Sequence, residues 1–467
     1  MDLRDKSLEA MTRRAFFGRG ATGVGVAALA SLLKAKESSV EASVHFPPRA
    51  KRVIYLFMSG GPSHVDTFDY KPLLQKRDGQ PMPKEIIKNH QFAMIKSDKP
   101  LVKGSPWKFS QHGQSGQWIS ELLPHTATVA DHLAIVRSMY TETFNHDPAV
   151  SMMTSGDVRP GRPSLGAWLS YGIGSEGQDL PSFVVLASGT VLQPLLDFYW
   201  GPGFLPTRHQ GVQFRRSGEP VLYVTNPAGI DSATRREQTD LLNWMNERRF
   251  DAVGDPEIQT RIAQYEMAFK MQMSVPDLTD VTTEPKYIQQ MYGTKPGKNA
   301  FSNNCLLARR LIERGVRFVQ LFHTGWDQHG NLIKEHQRQC GEVDQPIAAL
   351  IRDLDQRGLL DETLIVCTGE FGRTPMAQGG GDGFGRDHHP HGFTSWLAGG
   401  GICGGVSYGQ TDEFGYFAQD QRTHVHDLNA TILHCLGVDH EQLTYRFQGR
   451  DFRLTDVHGN VIKPLLT

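Results

Sequence analysis

Residues 368–393 read TGEFGRTPMAQGGGDGFGRDHHPHGF, placing Glu370, Asp387, His388, His389 and His391 in one Gly-rich stretch. Carboxylates and imidazoles at this density are a common ligand set for Zn²⁺ or a similar divalent ion. A solvated His-rich loop is the bland alternative, but two further clusters weigh against it. Residues 59–66 read SGGPSHVD and offer His64 and Asp66, while residues 323–330 read HTGWDQHG and offer Asp327 and His329. Charged groups are rarely buried unless paired or bound to metal. Three such clusters therefore point to one shared centre.

Convergence requires elements that bring the clusters together. Each follows an apolar run: 52–58 (RVIYLFM), 317–322 (RFVQLF) and 363–367 (TLIVC). These runs read as strands, and a carboxylate just past a strand lies at the carboxyl edge of an α/β sheet, where ligands bind. Further strands are expected at 133–139, 182–187 and 393–398. Helices are expected at 303–314, 342–359 and 424–436. The alternation predicts an α/β fold: a doubly wound, mostly parallel sheet with helices on both faces. Residues 189–298 carry little strand pattern and a helical portion over 233–273, which reads as an insertion or cap over the sheet edge. Its Met-rich, aromatic face reads as helix packing rather than a cofactor box.

The composition is that of a soluble globular chain: 467 residues, 39% hydrophobic and 21% charged. A net charge of −1 gives no general attraction to nucleic acid or an anionic membrane. Five cysteines with no CxxC pair leave the metal reading to His and carboxylates. Near the N-terminus, Arg13 and Arg14 precede Phe16, Phe17 and a Gly/Ala-rich apolar stretch ending near Leu33. This is the pattern of a twin-arginine export signal, expected over 1–42, with a small-residue cleavage site at 40–42 and a weaker alternative at 28–30. The stretch is short and Gly-rich for a membrane span. The expected address is periplasmic or secreted, reached through the twin-arginine machinery.

The ordered motifs GGPSHVDTFD, GWDQHG and GEFGRTP resemble those of a secreted bacterial group, domain-of-unknown-function family 1501. The whole mature chain, 43–467, resembles the alkaline phosphatase-like superfamily of phosphatases, sulfatases, phosphodiesterases and phosphomutases. That resemblance implies a metal-dependent hydrolase of phosphate or sulfate esters, small or polysaccharide, using two divalent ions: zinc, or Ca, Mg or Mn. It implies Asp66, Asp327, His329, Glu370 and His391 as metal ligands. Glu370 and Phe371 stand where an Asp and a ligand His are usual, so His388, His389 or His64 would have to supply the missing imidazole. The segment Thr143–His146 resembles a nucleophile motif, implying attack by Thr143 with Asn145 steadying the transferred group. Ser151 and Thr67 are alternative nucleophiles, Thr143 and Asn145 can equally be turn or cap residues, and His146–Asp147 reads as a surface pair. No Cys lies in a Cys-x-Pro-x-Arg motif, which disfavours a formylglycine sulfatase. A phosphomutase, or a non-catalytic exported protein binding metal or polysaccharide, are the rival readings.

Overall fold

Apolar residues alternate along the first strand, β1 (Arg52–Ser59), and divide the interior into two cores. Ile54, Leu56 and Met58 face one core; Val53, Tyr55 and Phe57 face the other. Successive strand side chains point to opposite faces, so a strand apolar on both sides must be covered on both sides. Each such side chain, fully buried, contributes about 2 kcal/mol, which anchors the strand whose end enters the site. The computed structural model describes residues 44–88, 90–190, 194–215, 226 and 229–467. The expected export signal lies outside them.

Eight more strands join β1: β2 (Ala134–Tyr140), β3 (Phe183–Gly189), β4 (Val212–Gln213), β5 (Phe318–Thr324), β6 (Thr363–Thr368), β7 (Phe393–Ala398), β8 (Ser407–Tyr408) and β9 (Thr423–His424). The sheet order is β8-β2-β7-β6-β1-β5-β3-β4, with β9 paired to the end of β2. Every pairing is parallel except those of β7, which runs against both β2 and β6. One face is covered by α5 (Phe301–Glu313) and α6 (Leu332–Gln356), the other by α1 (His146–Ser155), α2 (Leu165–Ile173) and α7 (Val425–Cys435). The doubly wound, mostly parallel sheet expected from the sequence is what the chain forms. The helix expected at 342–359 starts ten residues earlier, at Leu332, because its apolar stripe extends back through Cys340 and His336.

The helical portion expected over 233–273 is formed by two helices, α3 (Ser232–Val253) and α4 (Pro256–Thr279). Gly254 takes the left-handed conformation at φ 71°, Asp255 caps the next helix by accepting from the Glu257 amide, and Pro256 opens it. Met271, Val275 and Leu278 of α4 join the core under α5, so the Met-bearing face packs as a helix face does. The same stretch adds β4 to the sheet edge through pairing with β3.

Candidate metal centre

β1, β5 and β6 lie side by side, so their carboxyl ends bring residues 59–66, 325–331 and 369–373 together. Gly60 permits the closest approach. It sits at φ 123°, and a Cβ there would fall 2.4 Å from the Asp327 amide nitrogen. β2 ends on the same edge and leads through residues 141–145 into α1, whose first residue is His146. A fifth contribution is the two-residue ladder His388–His389 against Gly372–Arg373.

Asp327 is the focus. His146 Nε2 is 3.3 Å from its Oδ2, while His329 Nε2 and His388 Nε2 each stand 3.0 Å from its Oδ1. The opposite nitrogen of each ring is held by an acceptor. His146 Nδ1 donates to Glu370 Oε1 at 2.7 Å, His388 Nδ1 to the Phe144 carbonyl at 2.7 Å, and His329 Nδ1 to Gln378 Oε1 at 2.6 Å. An acceptor at Nδ1 fixes the proton there and turns Nε2 into a lone-pair donor, the arrangement found behind metal-bound histidines. His329 Nε2 and His388 Nε2 are 2.9 Å apart and face the same oxygen. Two lone pairs so placed repel unless a cation or protons lie between them. One nitrogen each from His146 and His388 and one oxygen from Asp327 all lie within 4.8 Å of one another. This N,N,O set, with His329 beside it, suits a borderline divalent ion such as Zn²⁺.

The electrostatics follow from the contacts. Burial alone would raise the Asp327 carboxyl, but its contacts with the three imidazoles, His146 foremost, and the Arg373 charge hold it well below the usual range. Burial would lower His146, but Asp327 and Glu370 lift it to about 9. His388 moves the other way, to about 4: burial outweighs the bond to Asp327, and the Arg373 and His146 charges add to the lowering.

Glu370 is fully buried and does not face the centre directly. The Gly60 amide lies 2.8 and 3.1 Å from its two oxygens, and Oε1 also accepts from His146. Phe371 places its ring beside His146 and His388, with centroids 5.1 and 4.6 Å away. Arg373, 1% exposed, donates to the Gly60, Gly61, Trp326 and Arg386 carbonyls and, at 2.8 Å, to Asp327 Oδ1. It ties the ends of β1 and β5 to the His loop. Asp387 accepts from the Met94 and Ile95 amides and anchors the base of that loop.

Of the residues expected as ligands, the structure brings together Asp327, His329 and His388, with Glu370 one bond behind His146. Asp66, His389 and His391 lie elsewhere. Asp66 is fully buried in a two-bond pair with Arg386, at 2.7 and 3.1 Å, and accepts from Ser63 Oγ at 2.5 Å. His389 Nε2 donates to the Tyr416 carbonyl, and His64 Nε2 to Gly415 O at 2.8 Å. His391 packs edge-on to His90 and beside Phe417. Thr143 is half-buried in the turn before α1, and its Oγ1 accepts from the Asn145 amide at 3.3 Å. Asn145 is the exposed residue preceding α1, with no side-chain cap bond.

His146 is the residue the sequence reading missed. It is no surface pair with Asp147, which instead accepts from Tyr199 Oη at 2.9 Å. A signal was present: His146 follows β2 by a short turn, as His329 follows β5.

The chain matches the family described as "Protein of unknown function (DUF1501)" over residues 50–466. No curated protein matches it. Similar solved structures include a phosphonate monoester hydrolase from Silicibacter pomeroyi, 13% identical over 74% of this chain and 71% of that one, TM-score 0.33. A protein in the alkaline phosphatase superfamily from Vibrio parahaemolyticus is 10% identical over 85% of this chain and 68% of that one, TM-score 0.34. A sulfatase from Pseudoalteromonas sp. is 12% identical over 84% and 69%, TM-score 0.32. With its match running from just before β1 almost to the C-terminus, the chain belongs to the DUF1501 family.

Proposed function

We propose that this protein is a metal-dependent hydrolase of phosphate or sulfate esters that works after export from the cytoplasm. The observation that carries the reading is the shared orientation of three imidazoles: every Nδ1 is held by an acceptor and every Nε2 faces Asp327. His146, His388 and Asp327 would hold the ion, with His329 alongside. When bound, a divalent ion supplies Lewis acidity at an ester oxygen and offsets charge that develops there. Glu370, the Phe144 carbonyl and Gln378 orient the ligand rings. Phe371 walls the centre on one side and excludes water from the faces of two imidazoles. Arg373 keeps Asp327 ionised and in place. In the ion-free protein His146 carries a proton between Glu370 and Asp327, so loading must release it, and affinity should fall with acidity.

Thr143 is the proposed nucleophile, lying on the same strand-to-helix turn as His146 and beside Phe144, whose carbonyl holds His388. The Asn145 amide is the proposed donor to the transferred group. Among the described residues no helix is long and apolar enough to cross a membrane, which is compatible with the export signal read at Arg13 and Arg14. A non-catalytic metal-binding protein is the second reading, favoured by Phe371 standing where the superfamily resemblance implies a ligand His.

Metal analysis of the purified mature chain, joined to assays on aryl phosphate, phosphodiester and sulfate esters, separates these readings. Zinc or manganese should co-purify, chelation should abolish turnover, and adding the ion back should restore it. Thr143→Ala should keep the ion and lose at least about a hundredfold in turnover, the scale of one lost catalytic group. Full metal occupancy without turnover of any ester would favour the non-catalytic reading, and no metal at all would sink both.

A further inference from the structure

We propose that this chain holds one ion rather than two, and that the buried Arg386 guanidinium is the built-in cation that Asp66 serves. The inference rests on the metal reading above and deepens it. Asp66 and Arg386 are both 0% exposed. All five N–H hydrogens of the guanidinium have an acceptor. Nε and one Nη2 hydrogen go to Asp66 at 2.7 and 3.1 Å, and the rest go to the carbonyls of Lys103 (3.1 Å), Thr374 (3.3 Å) and Gly104 (3.5 Å). Ser63 Oγ donates to the Asp66 oxygen that already accepts from Nε. An ion could take Asp66 only by expelling Arg386, leaving a buried guanidinium without its anion and three carbonyls without donors. Removing one partner of a buried pair is strongly unfavourable, because the other charge is left uncompensated.

Three other residues expected as ligands, Glu370, His64 and His389, also turn donor atoms to partners within the protein, while His391 packs against the His90 and Phe417 rings away from Asp327. Both Glu370 oxygens take up the Gly60 amide, and Oε1 takes up His146 as well. His64 and His389 turn their Nε2 atoms to the Gly415 and Tyr416 carbonyls. His64 Nδ1 is buried with no hydrogen-bond partner among the described residues, and a Cβ on Gly372 would lie 2.6 Å from it, so the Gly372 backbone crowds that side of the ring. Phe371 offers a ring and no lone pair. Among the described residues three imidazole nitrogens converge on Asp327, and Arg373, bonded to it at 2.8 Å, is the second fixed positive charge of the site. The arrangement is therefore one exchangeable ion beside two permanent guanidinium charges.

Stoichiometry tests this without any assay of turnover. The full mature chain is loaded with excess Zn²⁺, desalted, and examined by elemental analysis and native mass spectrometry. A crystal of the loaded protein is then measured at the zinc absorption edge. The expected result is one ion per chain and one anomalous peak among His146, Asp327 and His388, with none against Asp66. Asp327→Asn should drop the count to near zero. Asp66→Asn, where it folds, should leave one; the wild-type count decides the matter where it does not. Two ions per chain, or a peak against Asp66, overturns the inference and leaves the hydrolase reading standing. No ion under any loading overturns the hydrolase reading itself.

Discussion

His388 and His389 are neighbours in sequence and belong to different sites. On the extended pair His388–His389, paired to Gly372–Arg373, successive side chains point to opposite faces. His388 turns toward Asp327; His389 turns to the Tyr416 carbonyl. The contrast extends to two whole sets of imidazoles. In His146, His329 and His388 the Nδ1 atom is held and Nε2 is presented. In His64 and His389 the Nε2 atom itself is held, by a backbone carbonyl. On the proposed reading, what makes an imidazole a ligand is which nitrogen the fold secures. Density of histidines in the sequence says nothing about that.

The strongest way to break the comparison is to substitute one residue of each set. Asp327→Asn and His388→Ala should each weaken zinc binding by more than about a hundredfold, beyond the range for residues that merely support a ligand. His389→Ala should leave zinc affinity within about twofold of wild type. It should instead destabilise the protein by about 1–3 kcal/mol, because the buried Tyr416 carbonyl loses its donor. Competition with a chromophoric chelator measures the first quantity and denaturant unfolding the second. Equal losses of zinc affinity in the His388 and His389 variants would show that the two sets are one site.

A smaller effect is expected one bond further out. Glu370→Gln keeps the shape and an acceptor for His146 but removes the charge that makes the ring a strong ligand. Zinc affinity should fall by about 10–100-fold, as for other residues that orient metal-bound histidines. A Glu370 that bound the ion directly would give a loss as large as Asp327→Asn.

Much of this was legible in the sequence, and the part that was not has a physical reason. Strand runs apolar on both faces, such as RVIYLFM and TLIVC, announce a sheet covered on both sides, and β1 and β6 are such strands. Asp327 and His329 follow β5 in a tight Gly-containing turn, which is why sequence spacing finds them. Asp66 carries the same outward signal and is not at the centre, because its partner Arg386 lies 320 residues away. No local pattern reveals such a pairing. Arg373 was hidden for a related reason: four of its acceptors are backbone carbonyls, and backbone geometry has no residue code. The break between α3 and α4 was readable at Gly254-Asp255-Pro256, where a left-handed Gly is followed by a cap and an N1 proline.

The gentlest test of the comparison is pH, applied to chelator-treated protein. Burial would lower His146, but its bonds to Asp327 and Glu370 raise it to about 9. Its folded value thus exceeds the unfolded one of about 6.5, so it binds its proton more tightly when folded. The resulting stability is complete below pH 6.5 and is lost as pH rises through 9. His391 has the opposite sign. Burial, then the charges of His90 and Arg422, lower it to about 4, so its contribution is present above pH 6.5 and fades as pH falls toward 4. Ion-free protein should therefore lose stability between pH 7 and 9 with a slope of at most about 1.4 kcal/mol per pH unit, the value for one proton. His146→Gln should flatten that slope while leaving the acid limb unchanged. Saturating zinc should flatten it as well, since the His146 Nε2 proton is displaced before the titration begins. Thermal melts across the pH range read all three, and an alkaline slope that persists in His146→Gln would place the raised imidazole somewhere other than between Glu370 and Asp327.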